Sequence, residues 1–166
     1  FSPPPWLPAS SLWRTLVEPG KILLIDRKGR TREVYNLDLR LMPQELLVVD
    51  RRFLSESRVQ AFLTTLEGRP YLLISEISED GTGTNMGYLM MAVPLDSEFL
   101  LASQQGVSSN GVLVGLIDAD EQRFLTSSDP NIVPAGTRME RASKDYVVTA
   151  QSFFQYEGSV LNMQFA

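Results

Sequence analysis

Apolar and polar positions alternate with several different periods along the chain, and each change of period predicts an element. "KILLID", Lys21–Asp26, is a short, nearly continuous apolar run that reads as a buried strand. "RKGR" is its turn, with Gly29 supplying the left-handed conformation, and "TREVYNLDL" returns to complete a hairpin. "VQAFLTTLEGRPYLLISEI" sets two apolar runs around Glu67, Gly68 and Arg69, a second hairpin. "SEDGTGTN" is polar and glycine-rich, hence a turn, and "MGYLMMAVPL" is the strand that follows it. Helical spacing appears in "ASSLWRTLVEPG", with Ser10 or Ser11 as N-cap, Leu12, Trp13, Leu16 and Val17 on one face, and Pro19-Gly20 as the stop. It appears again in "DSEFLLASQQG", where Asp96 caps, Phe99, Leu100 and Leu101 form the stripe, and Gly106 ends the helix. Pro43 suits the first position of a helix through "QELLVVDRRFL", although "LLVV" reads equally well as strand.

The C-terminal part repeats the theme. "GVLVGLID", a turn and "QRFLTSSD" form a hairpin, and "DPNIVPAGTRMERASK" is a loop with a helical turn. "DYVVTAQSFFQ" and "SVLNMQFA" are expected to pair around Tyr156, Glu157 and Gly158. The stretches "LLIDRKGRTREVY" and "GLIDADEQRFLTS" share one plan: an apolar run ending in Ile-Asp, a polar turn, a second extended stretch. A strand that ends on Asp can use the carboxylate to accept backbone N–H bonds from its own turn, and Asp26 and Asp118 are assigned that role. Chance similarity between two hairpins is the competing explanation. About nine strands against three or four short helices predict an α+β protein with a largely antiparallel sheet flanked by short helices. The sheet is either continuous or divided into two related units, 1–106 with the extended N-terminal segment and its helix, and 107–166, smaller and β-rich.

Composition narrows the chemistry. A chain of 166 residues can bury about 70% of its unfolded surface and needs no metal or disulfide to hold it. The net charge of -5 comes from scattered acids, which argues against nucleic acid as a partner, because that binding rests on neutralising phosphates. Arg27, Lys28, Arg30 and Arg32 cluster beside Glu33 on a turn and read as a solvated hairpin tip. The chain has no Cys and no His. That removes thiol nucleophiles, disulfides, Ser-His-Asp triads and most transition-metal sites, so no catalytic residue, metal or cofactor is assigned. A carboxylate pair needs no sequence spacing, but nothing marks one pair over another. "GTGTNMG" lacks the G-x-G-x-x-G spacing at Met86 and precedes a strand, so it offers no helix N-terminus to a phosphate. "DADEQR" lacks the glycine and terminal Glu of a calcium loop, at Arg123 and Asp129. The longest apolar run, Tyr88–Leu95, is far short of the roughly 20 residues that span a bilayer. The start at Phe1 and the end at Ala166 suggest a piece of a longer polypeptide, with any membrane anchors outside it.

On the strand "MGYLMMAVPL", Met86, Tyr88, Met90 and Ala92 share one face, an adaptable apolar surface with a hydroxyl handle. Core packing accounts for such a face as well as a ligand pocket does. As a pocket floor it would gain a cation from Arg69 and a second hydroxyl from Tyr71, a set suited to a carboxylate-bearing ligand.

The order "KILLIDRKGR", "LEGRPYLLISEISEDGTG" and "MGYLMMAVPLDSEFL" resembles the extracytoplasmic sensor domains of the CHASE and Cache type, in particular the fourth CHASE class, with Gly87, Leu89, Met91, Leu95 and Asp96 matching its last signature. The resemblance covers about residues 20 to 103, and "LIDADEQRFLTSSDP" looks like a second, looser segment of the same PAS-like kind. It implies a PAS-like sheet carrying a pocket for a small molecule, in a periplasmic module set between two membrane helices. It implies also a homodimer in the full-length receptor, whose output is a histidine kinase, a chemoreceptor or a cyclic-diguanylate enzyme. The other reading is a protein- or carbohydrate-binding module of an envelope or secreted protein, with Trp6, Trp13, Phe153, Phe154 and Tyr156 as its contact face.

Overall fold

The computed structural model describes residues 20–36, 42–54, 59–104, 111–152 and 163–165. Strand β1 (Lys21–Ile25) lies between two antiparallel neighbours, β2 (Thr31–Asn36) and β5 (Asn85–Pro94). An inner strand covered on both faces needs apolar residues at successive positions, and Ile22, Leu23 and Ile25 are all buried. The chain reverses after β1 because the Oδ1 atom of Asp26 accepts the backbone N–H groups of Lys28 at 2.8 Å and Arg30 at 2.9 Å. Gly29, at φ +81°, supplies the left-handed step, as its position predicted. The Arg30 backbone N–H and the guanidinium of Arg32 hold the Asp26 carboxyl well below the usual carboxylate range, against the opposing effect of desolvation.

Strands β3 (Val59–Leu66) and β4 (Arg69–Glu79) meet at Glu67 and Gly68, with φ of +49° and +75°. Two left-handed residues in succession give the twist that a two-residue hairpin requires, so Arg69 opens β4 and is not part of the turn. Asp80 organises the next reversal, accepting the Thr82 hydroxyl at 2.6 Å and the N–H groups of Thr82 at 2.8 Å and Thr84 at 3.0 Å. These bonds, led by the Thr82 hydroxyl, lower its pKa, and they account for "EDGTGT" as a self-capped turn. The first sheet runs β2-β1-β5-β4-β3. Helix α1 (Ser97–Gln104) starts where expected, with Asp96 Oδ1 accepting the N–H groups of Glu98 and Phe99, each at 3.1 Å.

The second sheet is built from β6 (Gly115–Asp118), β7 (Arg123–Ser127), β8 (Gln151–Ser152) and β9 (Met163–Phe165), in the order β7-β6-β9-β8. Its pairings are antiparallel. Asp118 repeats the device of Asp26: its Oδ1 accepts the N–H groups of Asp120 at 3.0 Å and Glu121 at 3.1 Å. Between β7 and β8 lies the single helical turn α2 (Met139–Ala142). Antiparallel sheet with a few short helices is the α+β architecture the sequence predicts. The chain forms two compact units, Phe1–Phe62 with Leu72–Val93, and Leu63–Tyr71 with Pro94–Ala166. Among the described residues no helix is long and apolar enough to cross a membrane.

Two expectations change. The helix or strand expected from Pro43 is instead two short 3-10 turns, Gln44–Leu46 and Arg51–Phe53, with an extended link between them. Val49 N–H donates to the Gly29 carbonyl at 2.8 Å, and the Leu47 carbonyl accepts Thr31 N–H at 3.0 Å. Backbone groups spent on the start of β2 are lost to a helical ladder. Leu46 and Val49 turn inward while Leu47 and Val48 face out, and Phe53 stacks edge-on against Phe62 at 5.3 Å. The second change is in "DYVVTA", which forms no strand: Tyr146 N–H closes back onto the Ala142 carbonyl at 3.0 Å, and strand begins only at Gln151. The expected helix over "ASSLWRTLVEPG", the Gly106 stop and the turn at Tyr156 lie outside the described residues.

Candidate ligand-binding site

A cavity of about 720 Å3 opens beside the second sheet, entirely within the second unit. Each wall has a local cause. Gly115 begins β6 without a side chain, and the Phe124 ring occupies the space: a Cβ on Gly115 would lie 2.6 Å from its Cδ1 and Cε1 atoms. That close approach is what a glycine inside a strand pattern often marks. At the end of β7, Ser127 Oγ donates to the Val133 carbonyl at 2.7 Å and folds the 128–133 loop back, so that the Val133 side chain is buried. Ser128 clamps the strand entering the site, donating its N–H to the Val114 carbonyl at 2.7 Å and accepting Val114 N–H on its hydroxyl at 3.1 Å.

The opposite wall comes from α2. Phe124 N–H donates to the Thr137 carbonyl at 2.8 Å and Met139 N–H to the Gln122 carbonyl at 2.9 Å, which moors the helix to the start of β7 and places Ala142 in the lining. Ile117, Phe124, Val133 and Ala142 form one buried cluster, with Leu113, Met139 and Val148 packed against it. The exposed part of the described lining is supplied by Gly111, Val112, Tyr146, Val147 and Thr149. Among the described residues no Asp, Glu, Lys or Arg lines the cavity, and no cluster of acidic side chains is arranged to hold a metal ion.

The five residues singled out from sequence lie elsewhere. Met90 is fully buried in β5 opposite Leu23, and Tyr88, half-buried, stands opposite Ile25. Met86, on the same face, is 57% exposed, with its sulfur 3.9 Å from a guanidinium nitrogen of Arg27. Arg69 is exposed at the start of β4, and Tyr71 is buried two residues on. Met86, Tyr88 and Met90 belong to the first unit, whereas Arg69 and Tyr71 belong to the second. None of the five lines the cavity. Its lining was not read from the sequence because it is gathered from β6, β7, the 128–133 loop, α2 and the 146–149 segment. Gly115, a glycine within an apolar strand pattern, is the one residue that hinted at it.

No protein-family model matches the chain, and no curated protein matches it. Solved structures do. The periplasmic domain of LuxQ from Vibrio cholerae is 16% identical, with 94% of this chain and 73% of that one covered, at a TM-score of 0.55. A second structure of that LuxQ domain is 18% identical, with coverage of 89% and 68% and a TM-score of 0.51. A domain of a sensory box/GGDEF family protein from Vibrio parahaemolyticus is 14% identical, with coverage of 89% and 70% and a TM-score of 0.50. These likenesses show the fold alone, an α+β fold of the PAS-like kind, and do not single out the fourth CHASE class. The chain thus shares the α+β, PAS-like fold of the LuxQ periplasmic domain.

Proposed function

We propose that this chain is the extracytoplasmic ligand-sensing domain of a bacterial transmembrane signalling receptor whose output is a histidine kinase, a cyclic-diguanylate enzyme or a chemoreceptor. The observation that carries the reading is the fold shared with the LuxQ periplasmic domain over 94% of the chain. The cavity in the second unit is of the size that encloses a small molecule. The mechanism is a population shift: a ligand held better by one arrangement of the domain than by another biases the segments leading to the membrane by that difference in affinity. In this reading the domain itself does no catalysis, is flanked by membrane helices in the full-length receptor and works there as a homodimer. The division at 106/107 is proposed as the boundary between a first PAS-like unit and a second, smaller β-rich one, supported by one sheet within 21–94 and another within 115–165.

The test is topological. Alkaline phosphatase joined to the full-length gene within this domain is expected to be active, because that enzyme matures only outside the cytoplasm, and a fluorescent reporter that matures only inside is expected to stay dark. The reverse pattern overturns the reading.

A further inference from the structure

Resting on the reading of the chain as a sensor, we propose that the cavity of the second unit binds a neutral, largely apolar small molecule with one hydrogen-bonding group, and not an amino acid or an organic acid. Three observations carry this. An ionised carboxylate or ammonium entering the cavity would find no opposite charge among the described lining residues, and a charge taken from water without a partner is strongly disfavoured. The polar groups of the buried wall are already committed: the Ser127 hydroxyl to the Val133 carbonyl, and Val114 N–H and carbonyl to Ser128. Among the described residues no buried side-chain nitrogen or oxygen lacks a hydrogen-bond partner, so nothing in that wall is waiting for a polar ligand.

The open side differs. Val112, Tyr146 and Val147 all rank among the exposed large apolar residues, Val147 at 96%, and all three line the cavity. Apolar side chains gathered at one concave place mark a surface that something apolar covers. Tyr146 and Thr149, both hydroxyl-bearing and exposed, line the same side, and the ligand's polar group is assigned to them. The ligand therefore enters with its apolar body toward Phe124, Val133 and Ala142 and its polar end toward Tyr146. The space of about 720 Å3 admits a molecule of two or three fused or linked rings.

The experiment titrates the 166-residue chain with N-phenyl-1-naphthylamine, a neutral aromatic amine whose fluorescence rises in apolar surroundings. One saturable site is expected, unaffected by L-leucine, L-glutamate or succinate in excess. Val147→Asp puts a charge on an almost fully exposed lining residue without disturbing the core, and should weaken binding about tenfold. Ala142→Leu fills the cavity and should weaken it further, whereas Ile132→Asp, exposed but outside the lining, should change nothing. Absence of saturable binding overturns the proposal, as do unchanged binding in Val147→Asp or displacement of the dye by any of the three charged compounds. Stabilisation of the chain by an amino acid without dye binding overturns the apolar site and leaves the sensor reading standing. A cytoplasmic result in the reporter experiment, with dye binding intact, does the opposite.

Discussion

In β1 and in β6 the ladder slips just before the strand's final Ile-Asp, between Leu24 and Ile25 in one and between Leu116 and Ile117 in the other. An aspartate then takes two turn N–H groups on one oxygen, and a left-handed residue follows, Gly29 at φ +81° or Gln122 at φ +52°. The next residue bridges to a segment further along, Arg30 to Val48 and Arg123 to Arg138. On the other side each strand has an antiparallel partner from later in the chain, β5 or β9, whose own outer neighbour is β4 or β8. The two hairpins thus share an Asp-capped plan in the same order of parts, which supports the repeated Ile-Asp phrase against chance. The second turn is one residue longer: its left-handed residue comes four positions after the aspartate, against three in the first.

Side chains finish the two copies differently. Around Gly29 the Val49 carbonyl closes in to 2.6 Å from where a Cβ would sit. Gln122 has room for a side chain, and its amide donates to the Ala119 carbonyl at 2.6 Å. Asp26 also takes the guanidinium groups of Arg30 at 3.2 Å and Arg32 at 2.6 Å, whereas Arg123 beside the second turn pairs with Glu121 at 2.6 Å. Hydrogen-bond accounting along the backbone fixes the plan, then, and local space decides which residues may carry it.

The largest expected effect tests that last statement. Gly29→Ala combines left-handed strain with a backbone collision and should cost about 2–4 kcal/mol in urea unfolding. Gln122→Gly should fall within about 1 kcal/mol of zero, since relief of about 1–2 kcal/mol of strain is offset by glycine's chain entropy and the lost amide bond. Equal losses at the two positions would break the comparison.

Next is Asp118→Ala, which leaves the Asp120 and Glu121 N–H groups without their acceptor at a residue only 6% exposed. A loss of about 1–2 kcal/mol is expected, the size of a helix-cap deletion. A loss near zero in the same titration would show that water replaces the carboxylate, and the second turn would then not depend on its aspartate.

The smallest effect concerns pH. The folded-state pKa of Asp26 is depressed, so its contribution is complete above the unfolded value of about 3.9 and is lost as pH falls from there toward the folded value. Melting temperatures measured from pH 7 down to about 5 should therefore show no change attributable to this group, with the loss confined to below about pH 4. Asp26→Asn, which keeps an acceptor for Lys28 and Arg30 but titrates no longer, should flatten that acid limb. An unchanged limb would assign the acid sensitivity to other carboxylates.

Legibility in the sequence followed the range of the interaction. Asp26, Asp80, Asp96 and Asp118 each bind N–H groups within four residues, and three of them announced their turns or helix start as predicted. "LLVV" was ambiguous because its backbone partners, Gly29 and Thr31, lie in another hairpin. "DYVV" has strand-like composition, yet Tyr146 bonds back to Ala142 and the segment lines a cavity.

What the sequence settled unaided, then, is the reversals at Asp26, Glu67-Gly68, Asp80 and Asp118 with the strands beside them, because each is closed by groups a few bonds apart and hardly depends on the rest of the chain. Which strand lies beside β1 or β6, how Val133 and Ala142 come to face Phe124 and why the described lining of that space carries no charge were decided by tertiary structure. Those contacts require long loops to close, and loop closure is compensated only when many distant apolar groups leave water together.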